Sequence, residues 1–250
     1  MPPITVVVTG ASSGIGAALA EQLVARGDRV VLAARRRDLL DALAAKLGRN
    51  AHPVATDVTS RAEVERLRDR AIDTLGAVDV WVNNAGRGLS KSALELTDAE
   101  FDEMMLVNVK SALYGMQAIV PHFVERGRGQ IVNVSSFLSR VPMAPIRAGY
   151  SAAKAALNSL TTNARMDLAA SHPNIRVTLV MPGLVSTDFA KHAIHGTPPI
   201  RPGAGSAPAQ TAEQVADAIA RAIDHPVAEV YTNPVHAGIV QRYYAEPSVQ

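Results

Sequence analysis

The chain is predicted to be an α/β protein: a single doubly wound, seven-stranded parallel sheet with helices on both faces. Two observations predict it. Short apolar runs rich in valine alternate with longer amphipathic stretches, the pattern of strands buried on both faces between helices buried on one. The first of those runs ends in a glycine-rich turn that leads straight into a helical pattern. At 250 residues and 48% hydrophobic content the chain can bury one substantial core. No break in composition divides it, so residues 1–250 are read as one domain.

The first strand, Thr5–Thr9, follows Met1-Pro-Pro with neither a charged start nor a cleavage site, which argues against a signal peptide. Further strands are expected at Arg29–Ala33, Pro53–Thr56, Val78–Asn83, Gln130–Ser135, Arg176–Met181 and Glu229–Tyr231. Helices are expected near Gly14–Arg26, Arg37–Leu47, Arg61–Leu75, Asp98–Arg126, Tyr150–Ser171 and Ala212–Asp224. Ile15, Leu19 and Leu23 recur every four residues in the first, and Leu39, Leu40, Leu43 and Leu47 form a similar stripe in the second, so both face the sheet. Thr97 followed three residues later by Glu100 is a capping box that opens the long fourth helix. Residues 184–210 hold Pro198, Pro199, Pro202 and Pro208 with Gly196, Gly203 and Gly205, which predicts a substrate lid that ligand orders. Residues 233–250 are read as a C-terminal tail.

Bulk properties exclude several classes. The net charge is only +2 and no long run of lysine or arginine occurs, so nucleic acid is not expected as a partner. No apolar run reaches the roughly 18 residues that span a membrane. With no cysteine, neither a disulfide nor a thiolate metal site can form, which suits a cytoplasmic setting. The seven histidines show no ligand-pair spacing, so no metal is expected and each is assigned a surface or loop role.

The turn after the first strand carries Gly10, Gly14 and Gly16 in the spacing G-x-x-x-G-x-G. Glycines let the backbone approach a ligand closely, and the amides at a helix start attract phosphate. A dinucleotide is therefore expected there. Tyr150 and Lys154 form a second motif: four residues apart at a helix start, they lie ~40° apart around the axis, on one face. An ammonium beside a phenol favours the phenolate and lowers its pKa.

In order, Thr9-Gly-Ala-Ser-Ser-Gly14-Ile-Gly16, Asp57-Val58, Asn83-Asn-Ala-Gly86, Asn108, Ser136, Tyr150-x-x-x-Lys154 and Pro182-Gly183 occur together. Over about residues 4 to 232 the chain resembles the short-chain dehydrogenase/reductase family, whose fold is a single-domain Rossmann fold. The resemblance implies that Gly10, Gly14 and Gly16 line the pyrophosphate of a nicotinamide dinucleotide, and that Ser12, Ser13 and Ile15 also bind the cofactor. The second strand ends in Ala33-Ala34-Arg35-Arg36-Arg37, without the acid that binds the ribose of NAD. Arg35, with Ser12, is assigned to the 2′-phosphate of NADP(H), and Arg36 and Arg37 are read as solvated charges. In the family the acid matching Asp57 contacts the adenine amino group, Val58 packs on the ring, and Asn84, Ala85 and Gly86 border the ribose. Pro182 and Gly183 end the sixth strand near the nicotinamide, and Thr187 is expected to bond its carboxamide.

The same resemblance assigns the chemistry. Tyr150 is the general acid/base, Lys154 stabilises its phenolate and contacts the cofactor, Ser136 holds the substrate oxygen, and Asn108 anchors a water linking the lysine to solvent. Ser135 competes with Ser136, but the family pattern favours the second serine. Thirteen residues lie between Ser136 and Tyr150, one more than is usual, and Pro142 and Pro145 place the extra residue in a loop. The expected activity is NADP(H)-dependent transfer of a hydride to or from a small-molecule carbonyl or alcohol. Phe137, Leu138, Val141, Met143, Leu184 and Phe189 suggest an apolar substrate. The alternatives are a 3-oxoacyl-[acyl-carrier-protein] reductase, with Arg140 and Arg147 as a docking patch, and a non-catalytic NADP(H)-binding regulator. A homodimer or homotetramer is expected through the fourth and fifth helices, where Met104, Met105, Val107, Leu113 and Met116 outnumber one sheet-facing stripe and Ala155, Ala156 and Ala164 permit close approach.

Overall fold

The computed structural model describes residues 2–196 and 208–246. Seven strands form one parallel sheet in the order β3-β2-β1-β4-β5-β6-β7. They are β1 (Thr5–Thr9), β2 (Arg29–Ala34), β3 (Ala51–Ala55), β4 (Val80–Asn83), β5 (Gly129–Val134), β6 (Ile175–Met181) and β7 (Glu229–Tyr231). The helices are α1 (Gly14–Ala25), α2 (Arg37–Leu47), α3 (Arg61–Leu75), α4 (Asp98–Met105), α5 (Ser111–Arg126), α6 (Ala148–Ser171), α7 (Ala212–Asp224) and α8 (Val235–Ala245).

Alternation along each strand divides the core in two. Val6, Val8, Val30, Leu32, Val80, Val82, Val132 and Val134 face the side covered by α1, α2 and α7. Val7, Val31, Trp81, Ile131 and Val177, one residue out of step, face α3, α5 and α6. Each such side chain contributes about 1.5–3 kcal/mol on burial, so a one-residue slip in register would be prohibitive.

Three elements differ from the sequence expectation. The long fourth helix is broken by a π turn at Leu106–Lys110, which separates α4 from α5 and contains Asn108. The capping box at its start is present, with Thr97 and Glu100 bonding each other's backbone amides. In place of a tail, α8 runs from Val235 to Ala245. Of the expected lid, residues 197–207 lie outside the described residues. Its two flanks pair with each other at Val185 and Gln210, and are held to the body through Gln210 with Thr232 and Ile194 with Leu89.

Candidate active site

The carboxyl ends of β1 and β4 meet where the strand order reverses, the place at which open α/β sheets bind ligands. A cleft of about 1660 Å³ opens there. Gly10 and Gly14 have φ of +69° and +56°, a region glycine enters without strain. Gly10 also abuts the turn after β4, where a Cβ would lie 2.9 Å from Ala85 Cα. Asn84 fixes that contact by donating from Nδ2 to the Thr9 carbonyl at 2.8 Å. Gly16 is buried beneath, where a Cβ would collide with the Gly10 carbonyl oxygen. Ser13 is the N-cap of α1 but makes no capping bond, so the first-turn amides keep their capacity to bind an anion.

Asn83 and Asn84 divide their work. Asn83 is buried, accepts from Trp81 Nε1 at 2.8 Å and donates to Asn133 at 2.8 Å, so it ties β4 to β5. Asn84, Ala85 and Gly86 line the cleft.

At the end of β2, Arg35 and Arg36 both line the cleft. Arg36 differs from expectation. Though exposed, its guanidinium donates to Ser12 Oγ at 2.9 Å and Ser13 Oγ at 2.7 Å, bridging the glycine turn. Arg37 does point outward, paired with Asp41 at 2.8 Å. Burial works to raise the pKa of Asp57, but bonds from Thr59 and the charge of Arg35 outweigh it and hold the carboxyl below its usual value.

At the other end, Tyr150 is buried and hydrogen-bonded to Ser136. Burial pushes its pKa up to about 12, against the opposing pull of Ser136 and Arg147. Lys154 donates to the Val134 carbonyl at 2.9 Å, and its Nζ lies 5.8 Å from the centre of the Tyr150 ring. Burial lowers its pKa to about 8. Arg147 is thus a second cation beside the phenol, in addition to Lys154. Ser135 donates to Asn158 and to the Lys154 carbonyl, which holds α6 against β5.

Asn108 sits behind the cleft. Its Oδ1 accepts from Arg87 N at 3.2 Å, and its Nδ2 donates to the Arg87 carbonyl at 3.0 Å and the Met104 carbonyl at 3.2 Å. A Cβ on Gly86 would lie 2.9 Å from Asn108 Oδ1 and 3.5 Å from Lys154 Nζ, so both groups border the space that Gly86 leaves open.

The structure thus gathers Gly10, Ser12, Ser13, Gly14, Ile15, Arg35, Asp57, Val58, Asn84, Ala85, Gly86, Ser136, Tyr150, Lys154, Pro182, Gly183 and Thr187 around one cleft. Gly16 and Asn108 support it from behind. Thr187 crosses to the glycine turn, its Cγ2 3.4 Å from where a Cβ on Gly14 would be. The proposed docking patch is absent: Arg140 pairs with Glu229 at 2.6 Å, and Arg147 is buried. Among the described residues no group of three or more His, Cys, Asp or Glu could hold a metal, and no helix is long and apolar enough to cross a membrane.

A family model for short chain dehydrogenases matches residues 4–197. The chain belongs to the short-chain dehydrogenase family. An uncharacterised oxidoreductase of Staphylococcus haemolyticus is 37% identical over 234 residues, covering 92% of this chain and 96% of that protein. A short-chain dehydrogenase/reductase from Burkholderia phymatum, in complex with NAD, aligns with a TM-score of 0.88 at 25% identity, covering 99% of this chain and 97% of that one. A short-chain dehydrogenase from Burkholderia cenocepacia J2315, in complex with NADP, aligns at 0.81 with 31% identity, covering 98% and 94%. This short-chain dehydrogenase is therefore an oxidoreductase, of a fold whose solved relatives include complexes with either dinucleotide.

Sequence reasoning missed three residues of this dehydrogenase's cleft. Arg36 was indistinguishable from its neighbours in a run of three arginines. Arg147 stands where surface charge was expected. His236, assigned a surface or loop role, is buried on α8, stacks on Phe137 with ring centres 4.1 Å apart, and packs against Gly183, where a Cβ would collide with its ring. The strand-end pair Pro182-Gly183 was the available signal, since a glycine there admits a ring from elsewhere.

Proposed function

We propose that this dehydrogenase is an NADP(H)-dependent carbonyl reductase, transferring a hydride between the nicotinamide and the carbonyl or secondary alcohol of a small molecule with an apolar body. One observation carries the reading: the bonded pair Ser136–Tyr150 with Lys154 stands at one end of a cleft whose other end holds Arg35 and Arg36 and no acid at the close of β2. The cradle fits a dinucleotide, because the three glycines leave room that a Cβ at any of them would fill or strain. When bound, the reduced nicotinamide supplies a hydride. Ser136 holds the substrate oxygen, and Tyr150 delivers its proton to that oxygen as negative charge develops. Lys154 stabilises the phenolate left behind, and the gap over Gly86, bordered by Asn108, gives the proton a route from solvent. The complete Ser136, Tyr150 and Lys154 set favours catalysis over a purely regulatory role. We read the working form as a homodimer or homotetramer, and the cysteine-free sequence suits the cytoplasm.

The test is a panel of ketones and alcohols assayed with NADPH and NADH. Tyr150→Phe should bind NADPH nearly as the parent does and lower turnover by at least about a hundredfold. Single-turnover hydride transfer at the parent rate in that variant would overturn the assignment.

A further inference from the structure

His236 reaches the cleft from α8 and has no part in the chemistry above. It is 4% exposed and sits where the two strand ends that build the substrate wall meet. Its ring stacks on Phe137, the residue after Ser136, with centres 4.1 Å apart. Phe137 N donates to the Pro182 carbonyl at 2.7 Å, which joins the segment after β5 to the segment after β6. The edge of the imidazole that carries both nitrogens faces Gly183, where a Cβ would lie 2.9 Å from Nε2 and 3.3 Å from Nδ1. Nδ1 is enclosed and has no hydrogen-bond partner. Among the described residues Nε2 has no partner either, yet it is not enclosed, so it is the nitrogen left to the cleft. Burial lowers the pKa of the ring, which at neutral pH is therefore uncharged and carries one N–H and one lone pair. With no acceptor beside Nδ1, the proton belongs on Nε2, because a buried N–H without an acceptor is costly. The result is one unused donor in a wall that is apolar at Phe137, Leu138, Leu184 and Ile239. Packing alone does not call for it, since a phenylalanine would stack on Phe137 and leave no polar atom unmatched.

We propose that His236 is a specificity-determining residue whose Nε2–H donates to a second, uncharged oxygen of the substrate, so that the site acts on ketones carrying another carbonyl along an apolar chain. This rests on the carbonyl-reductase reading above. A carbonyl oxygen accepts a hydrogen bond without bringing a charge, which matches a single neutral donor in an apolar wall. Ser136 and Tyr150 hold the carbonyl that takes the hydride, and His236 fixes the other. The hydride adds to the first carbonyl carbon, the C=O π pair moves to its oxygen, and that oxygen takes the Tyr150 proton, which solvent replaces. The balance is diketone, NADPH and one proton giving hydroxyketone and NADP+.

The test compares kcat/KM for NADPH-dependent reduction of 2,3-octanedione and 2,5-octanedione, each against 2-octanone, in the parent enzyme, His236→Phe and His236→Gln. Because dione and ketone meet the same protein, the ratio is insensitive to the fraction folded, and the intrinsic reactivity of each dione cancels between proteins. For at least one dione the ratio should be roughly 3- to 10-fold lower in His236→Phe than in the parent, the scale of one neutral hydrogen bond. His236→Gln, which keeps a donor, should recover part of it. A merely structural role would lower all three substrates alike. Ratios that are the same in the parent and in His236→Phe for both diones overturn the inference and leave the reductase reading standing. Failure to reduce any of these compounds, or any ketone in the panel, by a protein that binds NADPH overturns both.

Discussion

Lys154 shows at the level of one residue how the site trades stability for chemistry. Its ammonium is buried, and its pKa falls from 10.5 to about 8. Between those values the folded chain binds fewer protons than the unfolded chain, so this residue's contribution to stability rises with pH. The cost of the buried cation is full below about pH 8 and fades toward pH 10.5. Lys154→Met should therefore stabilise the ligand-free protein at pH 7 even as it abolishes turnover. A net gain of about 1 kcal/mol, after losing the bond to the Val134 carbonyl, would raise Tm by roughly 2–4 °C in a chain of this size. Thermal denaturation at pH 7 and pH 9.5 checks both sign and window: the gain should be larger at pH 7. A variant that melts below the parent at pH 7 would show that the Val134 bond outweighs the desolvation. Gly86→Ala makes a complementary prediction. Its methyl would lie 2.9 Å from Asn108 Oδ1 and 3.5 Å from Lys154 Nζ, filling the space between them. Turnover at saturating NADPH, read by single-turnover hydride transfer, should fall at least about tenfold.

At the scale of elements, the NADP(H) reading proposed above rests on the turn from β2 into α2. Arg36 is the N-cap residue of α2, with φ −81° and ψ 91°, and this extended geometry carries its side chain back across the glycine turn to Ser12 and Ser13. Arg35 reaches the side of the cleft where Asp57 lies. We assign both to the 2′-phosphate, so Arg35→Ala and Arg36→Ala should each weaken NADPH by roughly ten- to a hundredfold and leave NADH little changed. Titration of both cofactors against both variants tests this; equal losses for NADH would place the arginines on the pyrophosphate or the fold. The sequence could not separate the two, since what distinguishes them is a backbone torsion inside a uniform run. The same limit hid the π turn: Leu106-Val-Asn-Val-Lys110 contains neither proline nor glycine and reads as ordinary helix. Helix α8 was missed for another reason. Only His236 is buried on it, and that residue is held by Phe137 and Gly183, distant in sequence, with nothing local to announce the contact.

Over the whole molecule, the strands were legible because valine repeats on both faces leave one solution, a sheet covered twice. The assembly was argued less well. Met104 and Met116 are buried in this chain's own core, while Met105, Val107 and Leu113 pack against it, so none supports an interface as expected. The expected fifth helix, α6 here, does offer a surface. Ala152, Ala155, Ser159, Asn163 and Met166 are exposed on α6 at three- and four-residue steps, hence on one face. Phe101 is exposed on α4, which packs beside α6. Small side chains along a helix face let a second helix approach closely, and the two large apolar groups give that approach surface to bury. We place the partner contact there. Ala155→Arg puts a long charged side chain in the middle of the face without touching the core, so its cost to the isolated chain should stay within about 0.5 kcal/mol. Light scattering at micromolar concentration should then show a dimer or larger for the parent and a lower mass for Ala155→Arg, with circular dichroism unchanged. A parent that is monomeric would refute the assembly, whereas an unchanged mass in Ala155→Arg would move the contact off α6.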